Sequence, residues 1–143
     1  MKKTVFLDTN VILDFFLDRE PFADPAARVL GLAADKDVKA YVSPLTCSNC
    51  YYILRKFATH DKVIRKLSLL LSIISISKMT RETVIKALDS KFKDFEDALQ
   101  YYSAEDYESV DVIITRNPKD YKHSNLAIMT PDSFIKTYPS GIK

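Results

Sequence analysis

Glycine is nearly missing from this chain of 143 residues, which contains two. That scarcity leaves few positions for strained turns and excludes a glycine-rich loop that cradles phosphates. Cysteine is as scarce. Cys47 and Cys50 stand alone in a C-x-x-C spacing, and a zinc ribbon needs a second such pair. The redox and zinc readings therefore give way to two small apolar side chains on one face of a helix. A reduced cytoplasmic protein is the corresponding expectation. No apolar run in the sequence approaches the ~20 residues that span a bilayer. No signal peptide is expected, because Met1-Lys-Lys-Thr4 enters a strand pattern with no small-residue cleavage site behind it. Surplus charge is missing too. With 21 basic and 19 acidic residues, any preference for nucleic acid must come from arrangement. What is present, 47% apolar and 28% charged residues, suits one soluble domain over residues 1–143.

The stretch from Thr4 to Phe16 organises the rest. Val5, Phe6 and Leu7 form the short apolar run of a strand buried on both faces. The run stops on Asp8. Thr9 and Asn10 favour helix N-caps, and Val11, Ile12, Phe15 and Phe16 then recur at helical spacing. In an open α/β sheet this places Asp8 at the carboxyl end of a central strand, where such folds bind their ligands. A capping role alone would explain Asp8, but a buried carboxylate needs a cation, and converging acids would make that cation a metal.

Further along, helices are expected from about Asp24 to Ala34, Leu45 to Ala58, Lys62 to Leu71, Thr80 to Leu88, Phe92 to Tyr107 and Thr130 to Thr137. Thr59-His60-Asp61 reads as a break between two helices of a hairpin. Strands are expected at Lys39–Ser43, Ile73–Ile76, Asp111–Thr115 and Leu126–Met129, with a frayed tail from Tyr138 to Lys143. Strands separated by helices imply a three-layer α/β/α sandwich around a parallel sheet of about five strands.

Asp8, Asp97, Asp94 and the group Thr115, Asn117 and Asp120 can gather at the strand ends. Asp94 is also a good N-cap, Asp97 suits the first turn of a helix, and Asp120 suits a solvated loop. Asp14 reads as structural. Oxygen ligands without His or Cys suit Mg²⁺ or Mn²⁺, ions that activate water and neutralise phosphoryl oxygens.

Taken together, Val5-Phe-Leu-Asp8-Thr9-Asn10-Val-Ile-Leu-Asp14, Asp94-Phe-Glu-Asp97-Ala98 and Ile113-Ile-Thr115-Arg-Asn117-Pro-Lys-Asp120 resemble the PIN domains, a family that includes the VapC-type toxins. The likeness spans nearly the whole chain in order. It implies a metal-dependent endoribonuclease, often a homodimer, blocked by a partner antitoxin. By the same resemblance Asp8 matches the family's first acid, Asp97 the acid of its Asp-Ala helix, and Thr115 the hydroxyl residue after the fourth strand. Asn117 stands where many members carry a further acid, with Asp120 as a substitute. Asn49 stands where the family pattern places Glu, which removes a negative charge and implies weaker metal binding.

On this reading Asp8 and Asp97 bind the metal, Asn49 and Asn117 are neutral ligands or position water, and Asp94 or Asp120 holds a second ion. Arg55, Lys56, Lys62, Arg65, Lys66, Arg116 and Lys119 bind flanking phosphates unless they are merely solvated. Tyr51, Tyr52, Tyr101 and Tyr102 stack on bases or belong to the core. The rival is a degenerate PIN-fold module that binds RNA or protein without cutting. A phosphatase of the haloacid dehalogenase type would need an Asp where Asn10 stands.

Overall fold

Val5, Phe6 and Leu7 are wholly buried, so the strand that carries them has no face toward solvent and demands a layer on either side. The computed structural model, which describes residues 2–106 and 109–138, supplies both layers. Strand β1 (Lys3–Leu7) lies at the centre of a five-stranded sheet with β2 (Val38–Val42), β3 (Ser75–Ile76), β4 (Val112–Ile114) and β5 (Ala127–Met129). The order is β3-β2-β1-β4-β5, and every pairing is parallel. The expected α/β/α architecture is thus the observed one.

The period of two along the strands divides the core. Val5, Leu7, Val38, Ala40, Val42, Val112 and Ile114 face one layer, built from α1 (Thr9–Phe16), α2 (Ala23–Ala34), α3 (Pro44–Leu54), α4 (His60–Leu70) and α7 (Pro131–Ile135). Phe6, Tyr41 and Ile113 face the other, where Tyr101 and Ala104 of α6 (Phe95–Glu105) meet Tyr121 of a 3₁₀ turn over Pro118–Tyr121. Helix α5 (Arg81–Leu88) packs on α6.

Several boundaries differ from the sequence reading, each for a local reason. The break between α3 and α4 falls earlier than expected, over residues 55–59: Thr59 caps α4, its side chain accepting from the Lys62 N–H at 3.4 Å, and His60 and Asp61 already belong to that helix. The third strand shortens to Ser75–Ile76 because the Ile73 and Ile74 N–H groups bond back to Leu70 O and finish α4. Phe92 stays outside α6; its ring packs on Tyr101 and Tyr121, and Asp94 is the cap. Helix α3 ends at Leu54 and α7 at Ile135, short of the expected Ala58 and Thr137. The expected end of α6 at Tyr107 and most of the expected frayed tail lie outside the described residues.

With glycine so scarce, left-handed backbone falls to other residues: Asp18 (φ 51°) and Lys36 (φ 63°) hold it where α1 and α2 end. Cys50 is buried and Cys47 half-buried against the same core, and burial pushes the Cys50 thiol up to about 12 and raises that of Cys47. Both are packing residues. No helix among the described residues is long and apolar enough to cross a membrane.

Candidate acidic cleft

Asp8 is 7% exposed, and both of its carboxylate oxygens accept hydrogen bonds. Its backbone N–H bonds to Ile114 O at 3.0 Å, which joins the end of β1 to the end of β4. One carboxylate oxygen, Oδ1, accepts from the Thr9 N–H at 2.7 Å and caps α1; the other, Oδ2, accepts from Thr115 Oγ1 at 2.8 Å. Capping and site-building are therefore one arrangement. Of the two readings of Asp8 left open by the sequence, the cap is the one observed directly.

Behind Asp8 sits Gln100, which the sequence analysis missed. Its Nε2 donates to Thr46 Oγ1 at 2.9 Å and reaches Asp8 Oδ1 and Thr9 Oγ1 at 3.3 Å, while its Oε1 accepts from Ser43 Oγ. The available signal was spacing: Gln100 follows Asp97 by three residues and so shares its helix face. Gln100→Leu keeps the volume but leaves the buried Ser43 and Thr46 hydroxyls without this partner. We expect a loss of about 2 kcal/mol in chemical denaturation, and an unchanged midpoint would contradict this account of the network.

In front of Asp8 opens a cleft of about 380 Å³ whose lining includes Asn49, Tyr52, Glu96, Asp97, Gln100, Asn117 and Asp120. Of the residues predicted from sequence, Asp8, Asn49, Asp97, Asn117 and Asp120 meet here. Thr115 lies beneath, wholly buried, and holds both Asp8 and the Asn117 N–H (3.1 Å). Asp94 caps α6 by accepting from the Asp97 N–H at 2.9 Å and opens onto a neighbouring hollow with Lys93, Lys119, Asp120 and His123. That hollow also takes Lys119 out of the main cleft.

Arg116, expected to bind phosphate or to be solvated, is instead found in an ion pair. Its Nε and Nη2 each lie 3.0 Å from an oxygen of the buried Asp14, and its guanidinium lies 4.3 Å from the Phe22 ring centre. Two of its five N–H donors are taken by this bidentate pair, so its first role is to neutralise a buried carboxylate. The tyrosines divide as well. Tyr101 is core, Tyr102 is half-buried, and Tyr51 bonds to His60 Nδ1 at 2.9 Å. Tyr52, 74% exposed, stands free at the cleft wall. Arg55, Lys56, Lys62, Arg65 and Lys66 are exposed as expected.

Two observations show that the cleft has an electrostatic debt and an unmet hydrogen bond. Burial, then the charges of Asp94, Asp8, Asp120 and Glu96, push the Asp97 carboxyl up to about 7. The Tyr121 hydroxyl is buried near Asp8 and makes no hydrogen bond of normal geometry. A hydrated cation would relieve both, with its charge and with its water. Among the described residues no three carboxylate, His or Cys groups converge on a point. The donors present therefore fit an ion that keeps several waters, as Mg²⁺ does, and not a fully dehydrated one.

The geometry defines a class: a parallel α/β domain with an oxygen-lined acidic cleft at the carboxyl end of its central strand. A PIN-domain family model matches residues 4–119, and the chain belongs to that family. Ribonuclease VapC1 of Aquifex aeolicus (strain VF5) is 30% identical over 141 residues, covering 94% of each chain. Among solved structures, VapBC-1 from nontypeable Haemophilus influenzae superposes with a TM-score of 0.66 at 17% identity, over 90% of this chain and 98% of that one. A toxin–antitoxin complex from Klebsiella pneumoniae gives 0.66 at 20% identity, over 89% and 97%.

Proposed function

We propose that this protein is a metal-dependent endoribonuclease that hydrolyses RNA phosphodiester bonds and acts as the toxin of a toxin–antitoxin pair. The observation that carries the reading is Asp8, buried and held from three sides, opening onto a cleft whose negative charge is uncompensated. Membership of the PIN family and similarity to a protein named as a ribonuclease support it.

Asp8 and Asp97 would hold Mg²⁺ or Mn²⁺, with Asn49, Asn117 and Asp120 as further oxygen donors or as anchors for its water. When bound, the ion activates water and neutralises the phosphoryl oxygen. The chain's own residues do the positioning. Thr9, Gln100 and Thr115 fix the Asp8 carboxylate, so it needs no reorientation when the substrate arrives. Asp94 orients Asp97 by capping its helix. Tyr52 offers an exposed ring for a base, and the basic residues of the α3–α4 hairpin offer charge to flanking phosphates, with an affinity that falls as salt rises.

Phe57, Leu69 and Leu71 on the α3–α4 hairpin are exposed and apolar, side chains suited to contact with an antitoxin or a second copy of the chain. The reading places the protein in the cytoplasm. Incubating a labelled RNA pool with Mn²⁺, Mg²⁺ or EDTA tests the activity. Cleavage that needs the ion is expected; folded protein that binds RNA and never cuts it would instead define a degenerate PIN module.

The raised Asp97 carboxyl gives a pH signature. The folded metal-free protein keeps a proton near pH 7 that an unfolded Asp, at its ordinary 3.8, has lost. Stability therefore declines as pH rises from about 4 to about 7, because the folded state binds more protons there. Asp97→Asn removes that decline and gains about 1 kcal/mol at pH 7.5, a modest figure because the half-exposed group is screened. Mn²⁺ must displace the proton, so its affinity should rise between pH 6 and pH 8. Thermal midpoints against pH, with and without Mn²⁺, measure both effects. A flat profile would remove Asp97 from the site.

A further inference from the structure

Asn49 and Glu96 approach each other across the mouth of the cleft, Asn49 from α3 and Glu96 from α6. The Asn49 side-chain amide donates to Glu96 Oε2 at 3.5 Å. A carboxylate can only accept, so the amide must turn its NH₂ toward Glu96 and its carbonyl away. Asn49 thus gives its NH₂ to an acid and keeps its carbonyl oxygen free.

We propose that Glu96 supplies a functional negative charge to the cleft beside Asp8, Asp97 and Asp120, in the place where a carboxylate at position 49 would have stood, and that Asn49 is the residue that positions it. This deepens the nuclease reading and rests on it. Three observations converge. Glu96 lines the same cleft as Asp8 and Asp97. Its charge already acts on Asp97, next to it in sequence. Its bond to Asn49 connects it to the position that lacks the acid.

No three carboxylates among the described residues form a ready-made cage, so Glu96 acts on the ion's water shell and by its charge. That role suits an exposed, flexible side chain at the mouth. An Asn at 49 opposite a Glu at 96 keeps the charge count of a Glu at 49 opposite a neutral residue, with the charge moved from one wall to the other. Two carboxylates on both walls would repel across the gap.

Titrating the full chain with Mn²⁺ alone, by calorimetry and by the loss of the free-ion electron paramagnetic resonance signal, tests this without reference to cleavage. Glu96→Gln should weaken Mn²⁺ binding about tenfold. Adding Asn49→Glu in that background should recover most of the affinity, since it returns a carboxylate to the opposite wall. Both residues are at the surface or half-exposed, so neither change threatens the fold. Binding by Glu96→Gln within twofold of wild type, alongside loss in Asp8→Asn, would overturn this proposal and leave the metal site standing. Failure of Asn49→Glu to recover any affinity would overturn the exchange of walls. Wild-type protein that binds no Mn²⁺ at millimolar concentration would remove the proposal and the nuclease reading together.

Discussion

Asp8→Asn should lower RNA cleavage about a thousandfold or more while leaving the fold intact. The rate follows from the ion's contribution of several kcal/mol to the transition state, at about 1.4 kcal/mol per tenfold. The fold survives because an amide keeps the two shortest of these contacts and gives up only the 3.4 Å bond from Asn10. Its carbonyl can accept from the Thr9 N–H and preserve the cap, and its NH₂ can turn to the Thr115 hydroxyl, which rotates to accept. The expected result is a circular dichroism spectrum and melting midpoint close to wild type, with activity at background. Retained cutting at a comparable rate would place the chemistry elsewhere in the molecule. Lost cutting together with a collapsed midpoint would mean that Asp8 serves the fold first, and Asp97→Asn would then decide the site.

Arg116→Met should be the more damaging change to stability, although Arg116 sits one residue from Thr115. Asp14 is 2% exposed, and the two bonds from Arg116 at 3.0 Å are its main compensation. Arg19, at 3.6 Å and 40% exposed, is left as a distant and wet substitute. Removing one partner of a buried pair strands the other charge, at a cost of about 3 kcal/mol. For a chain of this size that corresponds to roughly 10 °C in the melting midpoint. Changing Asp14→Leu as well should recover much of the loss, because no charge is then stranded. If Arg116 instead served RNA, the single change would weaken RNA binding and leave the midpoint where it was.

That pair also shows where sequence reasoning stopped. An Arg after a strand near an acidic cleft looks like a phosphate ligand, and nothing local says otherwise. Its partner lies 102 residues away on α1, and only the crossover that sets β4 beside β1 brings them together. Gln100 was hidden for a related reason: a neutral amide carries no charge signal, and its four partners come from two distant segments, 8–9 and 43–46. What was legible was what the local chain determines. Val5-Phe-Leu followed by Asp8 specified a doubly buried strand with an acid at its end, and helical periods between strands specified a parallel sheet. The start of α4 was placed two residues late because a helix cap and a chain break use the same residue types.

The position of β1 has a consequence for how the protein is made. The first strand synthesised is the central one, and its β4 side stays open until residues 112–114 exist. At ordinary translation rates about a hundred residues take roughly 5 to 20 s. Throughout that interval Asp8 lacks the Thr115 hydroxyl and the Ile114 carbonyl that hold it. A nascent chain on the ribosome, surrounded by RNA, therefore carries the acid without the geometry, and the cleft closes around it only when nearly all of the domain has emerged.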